Sequence, residues 1–329
     1  LTDTKNIFDE SVHKLSIAGV CMELRMKFGV SHYPNDDTDA MGLLNKAELS
    51  VEHIVNKTDI EWHIYDDEIK RISADEFKIQ ITLSQALKNA EFSIHYQPQF
   101  HARMNAIIGF EALIRWQSPK YGHMSPSIFI PLAQKHGLMS DLDYYVLSTV
   151  FNDSHEIFKR FPNTTLSLNF GYQAMQSEPF YKMVEAEIVR THIEPKNFVL
   201  ELTEEQLIKD SDKLVKQIEK FKKLGFKISI DDFGTGFNSL ATLFKLPLDE
   251  IKIERSFLKE YMSDKDRSII KSIVALGKEM QLRIVAEGVE YEEQKDFLLS
   301  HNCNVMQGYL FYKAMSVEQL TTLEKNPRA

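Results

Sequence analysis

The sequence has few cysteines and no long apolar runs. Its 329 residues include two cysteines, Cys21 and Cys303, which lie far apart and outside any metal-ligand spacing. This argues against a disulfide framework or a zinc knuckle and favours a reducing compartment. No run of about eighteen apolar residues occurs, and Leu1 to Asn6 lack the features of a secretion signal. We therefore expect a cytoplasmic segment without membrane contact, either alone or as part of a longer membrane-anchored or sensor-linked protein.

The sequence also has no excess of positive charge, because its formal net charge is −9. Binding to a DNA or RNA duplex through a broad basic face is therefore not expected. The simplest account of the negative charge is ordinary solubility. If the substrate is itself anionic, bound cations have to mediate its contact with the protein.

From about Phe92 onward, short apolar β-branched runs alternate with stretches of helical period, which is typical of repeated strand-helix units. Eight such strands over roughly 240 residues predict a (β/α)8 TIM-like barrel. The turn at His101 to Asn105 is too short for a helical crossover, so the first two strands should be antiparallel. The predicted strands are Phe92 to Tyr96, Ala106 to Ile114, Thr165 to Phe170, Phe198 to Leu202, Lys227 to Ile230, Glu250 to Ile253, Arg283 to Ala286 and Asn304 to Phe311.

The first seventy or so residues predict a small α+β piece. Met22 to Val30 alternates as a half-buried strand, and a turn follows at Tyr33 to Asp37. We expect a helix over Thr38 to Asn56 and a short strand at Ile60 to Tyr65. The piece is too small to bury a core alone. A further helix, from about Ala74 to Ala90, should lead into the barrel.

Polar residues recur inside or directly after the apolar strands of the predicted barrel. At the carboxyl ends of barrel strands, such residues converge at one mouth, where barrel enzymes keep their chemistry. Several buried carboxylates need cations for compensation, and oxygen ligands without His or Cys favour Mg²⁺ or Mn²⁺. The residues are Glu111, Asn169, Glu201, Asp231, Asp232, Lys252, Glu287 and Gln307.

Each of these residues also has an ordinary structural interpretation. A single Glu in a strand usually lies on the rim or faces outward. Asp231 and Asp232 could cap a following helix, and Lys252 could be an edge-strand charge paired with Glu254. The recurrence of one polar residue per strand is what favours a functional site.

The segment Glu111-Ala112-Leu113-Ile114-Arg115-Trp116 resembles the signature of the EAL family, and further blocks follow in family order from about Thr82 to Leu323. So many blocks in one order make chance similarity negligible. They are Tyr96-Gln97-Pro98, Asn169, Glu201-Leu202-Thr203-Glu204, Asp231 to Gly236, Leu246-Pro247, Lys252 to Phe257, Val285 to Glu290 and Gln307-Gly308-Tyr309.

The resemblance implies a phosphodiesterase that uses two Mg²⁺ or Mn²⁺ ions to open cyclic di-GMP to linear pGpG. It also implies a homodimer through the barrel. Family members that lose metal ligands act as cyclic di-GMP receptors, so a weak receptor module stays as an alternative, and a scaffolding barrel is a third.

The resemblance assigns a role to each matching residue. Glu111, Asn169, Glu201 and Asp231 would ligate the first metal, and Asp231 and Asp232 the second. Lys252 would orient the attacking water with Glu287, while Gln307 would lie near the metals. The implied catalytic residues are thus Lys252, Glu287 and Glu111, and the metal ligands also include Glu287 and Gln307. The residues that would bind substrate are Gln97, Leu113 and Arg115. Two further acids, Glu204 and Glu290, would stabilise the loop after Asp232.

Some positions depart from the common family pattern, namely Gly171, Glu254, Phe237 and Asn238. None is a presumed metal ligand, so the departures concern the loop and the rate. Residues 1–72, with Phe28 to Pro34, resemble the last part of a GGDEF diguanylate cyclase domain without its signature. The resemblance thus predicts a partial GGDEF-like segment (1–72), a connecting helix (73–90) and the EAL barrel (91–325), with no cyclase activity.

Overall fold

The chain divides into two units, Leu1–Thr82 and Leu83–Ala329. The structure is a computed structural model that describes residues 13–17, 20–24, 26–54, 62–204, 211–234, 243–259 and 262–323. None of the helices in these ranges is both long enough and apolar enough to cross a membrane.

Where the structure describes it, the first unit contains two small sheets, one helix between their strands and most of a second helix. Strands β1 (His13–Ile17) and β2 (Val20–Leu24) form an antiparallel hairpin, and β3 (Phe28–Val30) pairs in parallel with β4 (Trp62–Ile64). Helix α1 (Ala40–Ile54) connects β3 to β4. The strand predicted over Met22 to Val30 is therefore two strands, and the ends of the predicted helix and strand at 55–61 lie outside the described residues.

Helix α1 packs directly on β3 because Gly29 has no side chain. A Cβ at Gly29 would lie 1.8 Å from the carbonyl oxygen of Ala47. Helix α2 (Asp67–Ala86) begins earlier than the predicted Ala74. The Asp66 carboxylate accepts a hydrogen bond from the Ile69 amide at 2.9 Å and so caps this earlier start.

The second unit is the predicted barrel. The strands have the order β5-β13-β12-β11-β10-β9-β8-β6, and β5 pairs with β6 to close the ring. Strand β5 is antiparallel to both neighbours, which confirms the antiparallel first pair, and the other neighbours in the ring are parallel. The strands are β5 (Phe92–His101), β6 (Ala106–Ser118), β8 (Thr165–Asn169), β9 (Phe198–Thr203), β10 (Lys227–Phe233), β11 (Glu250–Ile253), β12 (Arg283–Ala286) and β13 (Val305–Met306), with β7 (Gly122–Met124) as a hairpin partner of β6.

Helices surround this sheet, and the apolar core lies between the two. On the outer face of β9, the Phe198 ring meets the Phe151 ring of α4 at 4.9 Å between centroids. Burial of one such side chain stabilises the fold by about 1.5–3 kcal/mol. The helices are α3 (Pro126–Lys135), α4 (Met139–Arg160), α5 (Tyr172–Gln176), α6 (Glu178–Thr191), α7 (Ser211–Leu224), α8 (Asp264–Glu279), α9 (Glu292–Ser300) and α10 (Val317–Thr322), with 3₁₀ turns at Pro195–Asn197 and Arg255–Phe257.

The floor of the barrel is a polar cluster around Arg283. Its guanidinium donates to Glu250 and, at 3.0 Å, to Gln99 Oε1. A Cβ at Gly109 would lie 2.7 Å from the same Gln99 oxygen and 2.8 Å from Thr165 Oγ1. These contacts show that Gln99, Gly109 and Thr165 face the barrel interior, so Glu111, two residues after Gly109, faces it as well.

Candidate active site

The ammonium group of Lys252 lies inside a ring of four carboxylates. Its Nζ is 2.5 Å from Glu287 Oε1, 2.8 Å from Glu201 Oε2, 3.3 Å from Asp231 Oδ1 and 3.5 Å from Glu111 Oε1. Lys252 has no exposed surface. Because one ammonium faces four carboxylates, the cluster carries excess negative charge whenever the acids are ionised.

Strand register brings these side chains together. Glu201 on β9 pairs with Asn169 on β8, and Asp231 on β10 pairs with Thr203, two residues further along β9, so these side chains lie at neighbouring levels of the same mouth. Strand β11 lies between β10 and β12. Lys252 is therefore in an interior strand, and the edge-strand interpretation of its charge is wrong.

Burial and mutual repulsion shift the ionisation of the acids. Burial raises the pKa of Glu201 well above its usual range, although the charge of Lys252 opposes this shift. Repulsion from Glu111 and Asp231 raises the pKa further. Burial likewise raises the pKa of Glu287 to about 8 despite the attraction of Lys252. Burial alone would lower the pKa of Lys252, but the surrounding carboxylates raise it well above its usual value. The cluster therefore holds Lys252 as a cation and disfavours further negative charge.

Two groups of carboxylates are close enough to hold a metal ion, and they share Asp231. Glu111, Glu201 and Asp231 form one group, and Asp231, Asp232 and Glu287 the other, with ligand atoms within 4.8 Å of one another. The donor set consists of oxygen atoms, which suits a hard divalent cation. Three buried oxygens here, Glu201 Oε1, Glu287 Oε1 and Gln307 Oε1, accept no hydrogen bond from the described residues, and of these Glu287 Oε1 lies within ion-pair distance of Lys252. The residues therefore fit a bound cation.

Three amide side chains line the same mouth. Asn169 Nδ2 donates to Glu111 Oε1 at 3.2 Å, and Gln307 Nε2 donates to the other carboxylate oxygen of Glu111. Gln97 contacts Gln307 at 3.4 Å and donates to the Tyr312 carbonyl at 3.2 Å. Three residues predicted to contact metal or substrate thus lie beside the acidic cluster, namely Asn169, Gln307 and Gln97.

A cavity of about 330 Å³ opens next to the acidic cluster, and Asn169 and Glu201 line both. Leu113 and Arg115, two predicted substrate contacts, also line it. Burial lowers the pKa of Arg115, against the opposing influences of Tyr309 and Glu111. The position of Arg115 suits contact with an anionic group of a ligand.

Asp143 lines the same cavity and was missed by sequence reasoning. It lies on the buried side of α4 beside Leu142, and burial raises its pKa to about 7. Gly171 is its neighbour, since a Cβ at that position would lie 3.1 Å from Asp143 Oδ2. An acidic residue within the apolar stripe of a helix was the available signal.

The backbone is left-handed at Asp232, near the end of β10 and just before the loop that follows. Asp232 has φ 55°, and the Gly234 amide donates to Glu204 Oε2 at 2.8 Å. Burial and the charge of Asp231 raise the pKa of Asp232 to about 6. The remainder of this loop, including the predicted departures Phe237 and Asn238, lies at 235–242, outside the described residues.

Two further acidic residues have local roles. Glu254 accepts a hydrogen bond from the Ser256 amide at 2.8 Å and so caps the turn at Arg255–Phe257. Glu290 is exposed after β12, and its amide donates to Gln294 Oε1 at 2.7 Å.

Comparison with known proteins places this geometry in a family. The family model described as "EAL domain" matches residues 81–314. The "Bifunctional diguanylate cyclase/cyclic di-GMP phosphodiesterase MucR" of Pseudomonas aeruginosa is 32% identical over 301 residues, which cover 91% of this chain and 44% of that protein. The "Cyclic di-GMP phosphodiesterase NbdA" of the same organism is 30% identical over 325 residues, which cover 96% of this chain and 41% of that protein. The chain thus spans less than half the length of these curated relatives.

Solved structures agree with the sequence relatives. The structure described as "PaMucR Phosphodiesterase, c-di-GMP complex" has a TM-score of 0.71 at 36% identity and covers 74% of this chain and 99% of its own. A structure of the EAL enzyme Bd1971 with bound cAMP and cyclic-di-GMP has a TM-score of 0.72 at 28% identity and covers 78% of this chain and 71% of its own. The chain belongs to the EAL domain family and is homologous to cyclic di-GMP phosphodiesterases.

Proposed function

We propose that the chain hydrolyses cyclic di-GMP to linear pGpG with two divalent cations, Mg²⁺ or Mn²⁺. The observation that supports this most directly is the pair of carboxylate groups that share Asp231 around the buried Lys252. A fold needs no such excess of buried acid for stability, because unpaired buried carboxylates are costly.

The proposed ligands follow the two groups. Glu111, Asn169, Glu201 and Asp231 would hold one cation, and Asp231, Asp232 and Glu287 the other. Gln307, which donates to Glu111, would complete the metal site. When bound, a pair of divalent cations activates a water molecule and stabilises charge on the attacked phosphate and the leaving oxygen.

The protein side chains have separate tasks in this proposal. Lys252, held as an ammonium by its carboxylates, donates to the attacking water, and Glu287 positions that donor from 2.5 Å. Arg115 and Gln97 contact the phosphate and sugar of the substrate, and Leu113 packs against it at the cavity wall. The water oxygen bonds to phosphorus and releases a proton to solvent, the P–O ester bond to the leaving sugar breaks, and the sugar oxygen takes up a proton from solvent, so that one water is added in total.

The decisive experiment incubates the purified chain with cyclic di-GMP and Mg²⁺ or Mn²⁺, with EDTA as the control, and resolves the nucleotides by chromatography. We expect metal-dependent formation of pGpG, abolished in Glu111→Ala and Asp231→Ala, with the barrel still folded by circular dichroism. Turnover that persists in both variants would overturn the assignment. Tight binding of intact nucleotide without turnover would instead identify a receptor module.

We further propose that residues 1–72 are the end of a GGDEF-like domain, that 73–90 connect it to the barrel at 91–325, and that the barrel forms a homodimer in the cytoplasm. The name of MucR, which joins both activities in one protein, supports the first of these points. Light scattering would test the dimer. Incubation with GTP should give no cyclic di-GMP, because the cyclase signature is absent from the sequence.

A further inference from the structure

The segment after β13 is a turn fixed by the backbone on both sides. The amides of Phe311 and Tyr312 donate to the Gly308 carbonyl at 3.1 and 3.0 Å, and the Leu310 amide donates to Val289 at 3.0 Å. Further along, Met315 and Tyr96 exchange two backbone hydrogen bonds of 2.7 and 3.0 Å. The segment is thus held in one position at the rim of the barrel.

This turn lies directly beside the acidic cluster. Gln307, which begins it, donates to Glu111, and Gln97 bonds both Gln307 and the Tyr312 carbonyl. A side chain presented by this turn therefore stands at the mouth, within the reach of a ligand bound at the cluster.

Tyr309 is the aromatic side chain that the turn presents, and 62% of its surface is exposed. The Lys313 ammonium lies 5.4 Å from the ring centroid. Tyr309 is also close enough to Arg115, a wall residue of the cavity, to influence it electrostatically. The ring thus lies on the side of the mouth where Arg115 would meet a phosphate.

A cyclic dinucleotide has two bases, and the cavity of about 330 Å³ beside Glu201 is of the right scale for one of them. With one phosphate at the acidic cluster and one base in this cavity, the other base remains outside, over the rim. A fixed, exposed aromatic ring is the kind of surface on which bases stack.

We propose that Tyr309 is the stacking surface for the second base of the substrate, with Lys313 beside the second phosphate. This inference rests on the proposed function and adds a binding residue outside the acidic cluster. Stacking of one base on one aromatic side chain predicts a loss of about tenfold in affinity on truncation to Ala.

The test compares wild type, Tyr309→Ala and Tyr309→Phe, with Tyr144→Ala as a control at another exposed tyrosine, on α4. Dissociation constants for cyclic di-GMP are measured calorimetrically in EDTA, and KM and kcat are measured with Mn²⁺. We expect Tyr309→Ala to raise both the dissociation constant and KM about tenfold with kcat nearly unchanged. Tyr309→Phe and Tyr144→Ala should stay within about twofold of wild type, since one keeps the ring and the other leaves the rim intact.

A mononucleotide separates the two base sites. GMP has one base, so Tyr309→Ala should leave its affinity unchanged. Equal affinity of Tyr309→Ala and wild type for cyclic di-GMP would overturn the stacking role alone, as would an equal loss of affinity for GMP. Absence of both binding and turnover in wild type would instead overturn the proposed function, and the role of Tyr309 with it.

Discussion

The ammonium of Lys252 lies 2.8 Å from a carboxylate oxygen of Glu201, and neither side chain has any exposed surface. The pair is fully desolvated, and three other carboxylates compete for the same ammonium. The stability of the barrel mouth and its chemistry therefore depend on one cation supplied by the protein.

Replacement of Lys252 by Met should destabilise the protein and abolish turnover. Without the ammonium the buried acids have no compensating charge, and loss of one partner of a buried ion pair costs about 3–5 kcal/mol. We expect the free energy of unfolding, measured in urea with EDTA present, to fall by this amount, and pGpG formation to fall at least about 100-fold. Lys222→Met serves as control, because its pair with Asp249 is partly exposed and should cost about 1 kcal/mol or less. Equal losses in the two variants would contradict the special status of Lys252.

Asp231 belongs to both carboxylate groups, so its replacement by Asn should remove metal binding altogether. In wild type, Mn²⁺ at about 100 times its dissociation constant should stabilise the fold by about 2.7 kcal/mol, which raises the melting temperature. Thermal unfolding of Asp231→Asn should show no response to Mn²⁺. Glu194→Gln, at an exposed surface pair, should respond as wild type does. A full Mn²⁺ response in Asp231→Asn would show that the metal binds elsewhere.

The stability of the protein should carry a pH dependence that belongs to Asp143. Burial raises its pKa to about 7, above the ordinary 3.8, so the folded state binds this proton more tightly than the unfolded state. Its contribution is therefore neutral below pH 4 and increasingly unfavourable as the pH rises to 7. Asp143→Asn should gain stability over wild type by on the order of 3 kcal/mol between pH 4 and pH 8. Urea unfolding across this range is the measurement, and a stability difference between Asp143→Asn and wild type that is constant with pH would contradict the prediction.

Gly308 should tolerate no side chain. A Cβ there would lie 2.0 Å from the Val289 carbonyl oxygen and 2.4 Å from its nitrogen, so backbone would have to move. We expect Gly308→Ala to cost about 3 kcal/mol in chemical denaturation and to lower turnover by displacing Gln307. Gly137→Ala is the matched control, since Gly137 has φ 70° but open space around it, and its cost should be about 1 kcal/mol of backbone strain. A similar loss in the free energy of unfolding for both substitutions would mean that the turn at Gly308 can accommodate a side chain without a large rearrangement.

Much of the barrel could be predicted because alternation and burial are local properties. The strands at Glu250–Ile253 and Arg283–Ala286 have the predicted bounds. The last strand was predicted too long, over Asn304 to Phe311, because its apolar residues continue into the turn. What ends it after Met306 is the close approach of Gly308 to Val289, a contact between distant parts of the chain.

The candidate site was predictable as a set of residue types but not as a geometry. One polar residue per strand indicated Glu111, Glu201 and Asp231, and the structure brings them together. The apolar stripe around Asp143 indicates that this residue is buried but not that it lines a cavity, because the cavity depends on how α4 packs against β6 and β8. For the same reason, Lys252 could be interpreted from sequence as an edge residue until the neighbours of β11 were known.

The reversed direction of β5 has a consequence for how the barrel is connected to the rest of the chain. In the register with β6, Phe92 pairs with Trp116 and Gln97 pairs with Glu111, so β5 starts beyond the level of the carboxylates, passes them at Gln97 and runs down to the floor. A barrel whose first strand ran parallel to the others would be entered from the floor. Here the polypeptide enters at the face that carries the acidic cluster, and Gln97 is only six residues from that entrance, counting Phe92. The start of the barrel and the neighbour of Glu111 thus belong to one strand, and the same ladder of hydrogen bonds with β6 fixes the position of both.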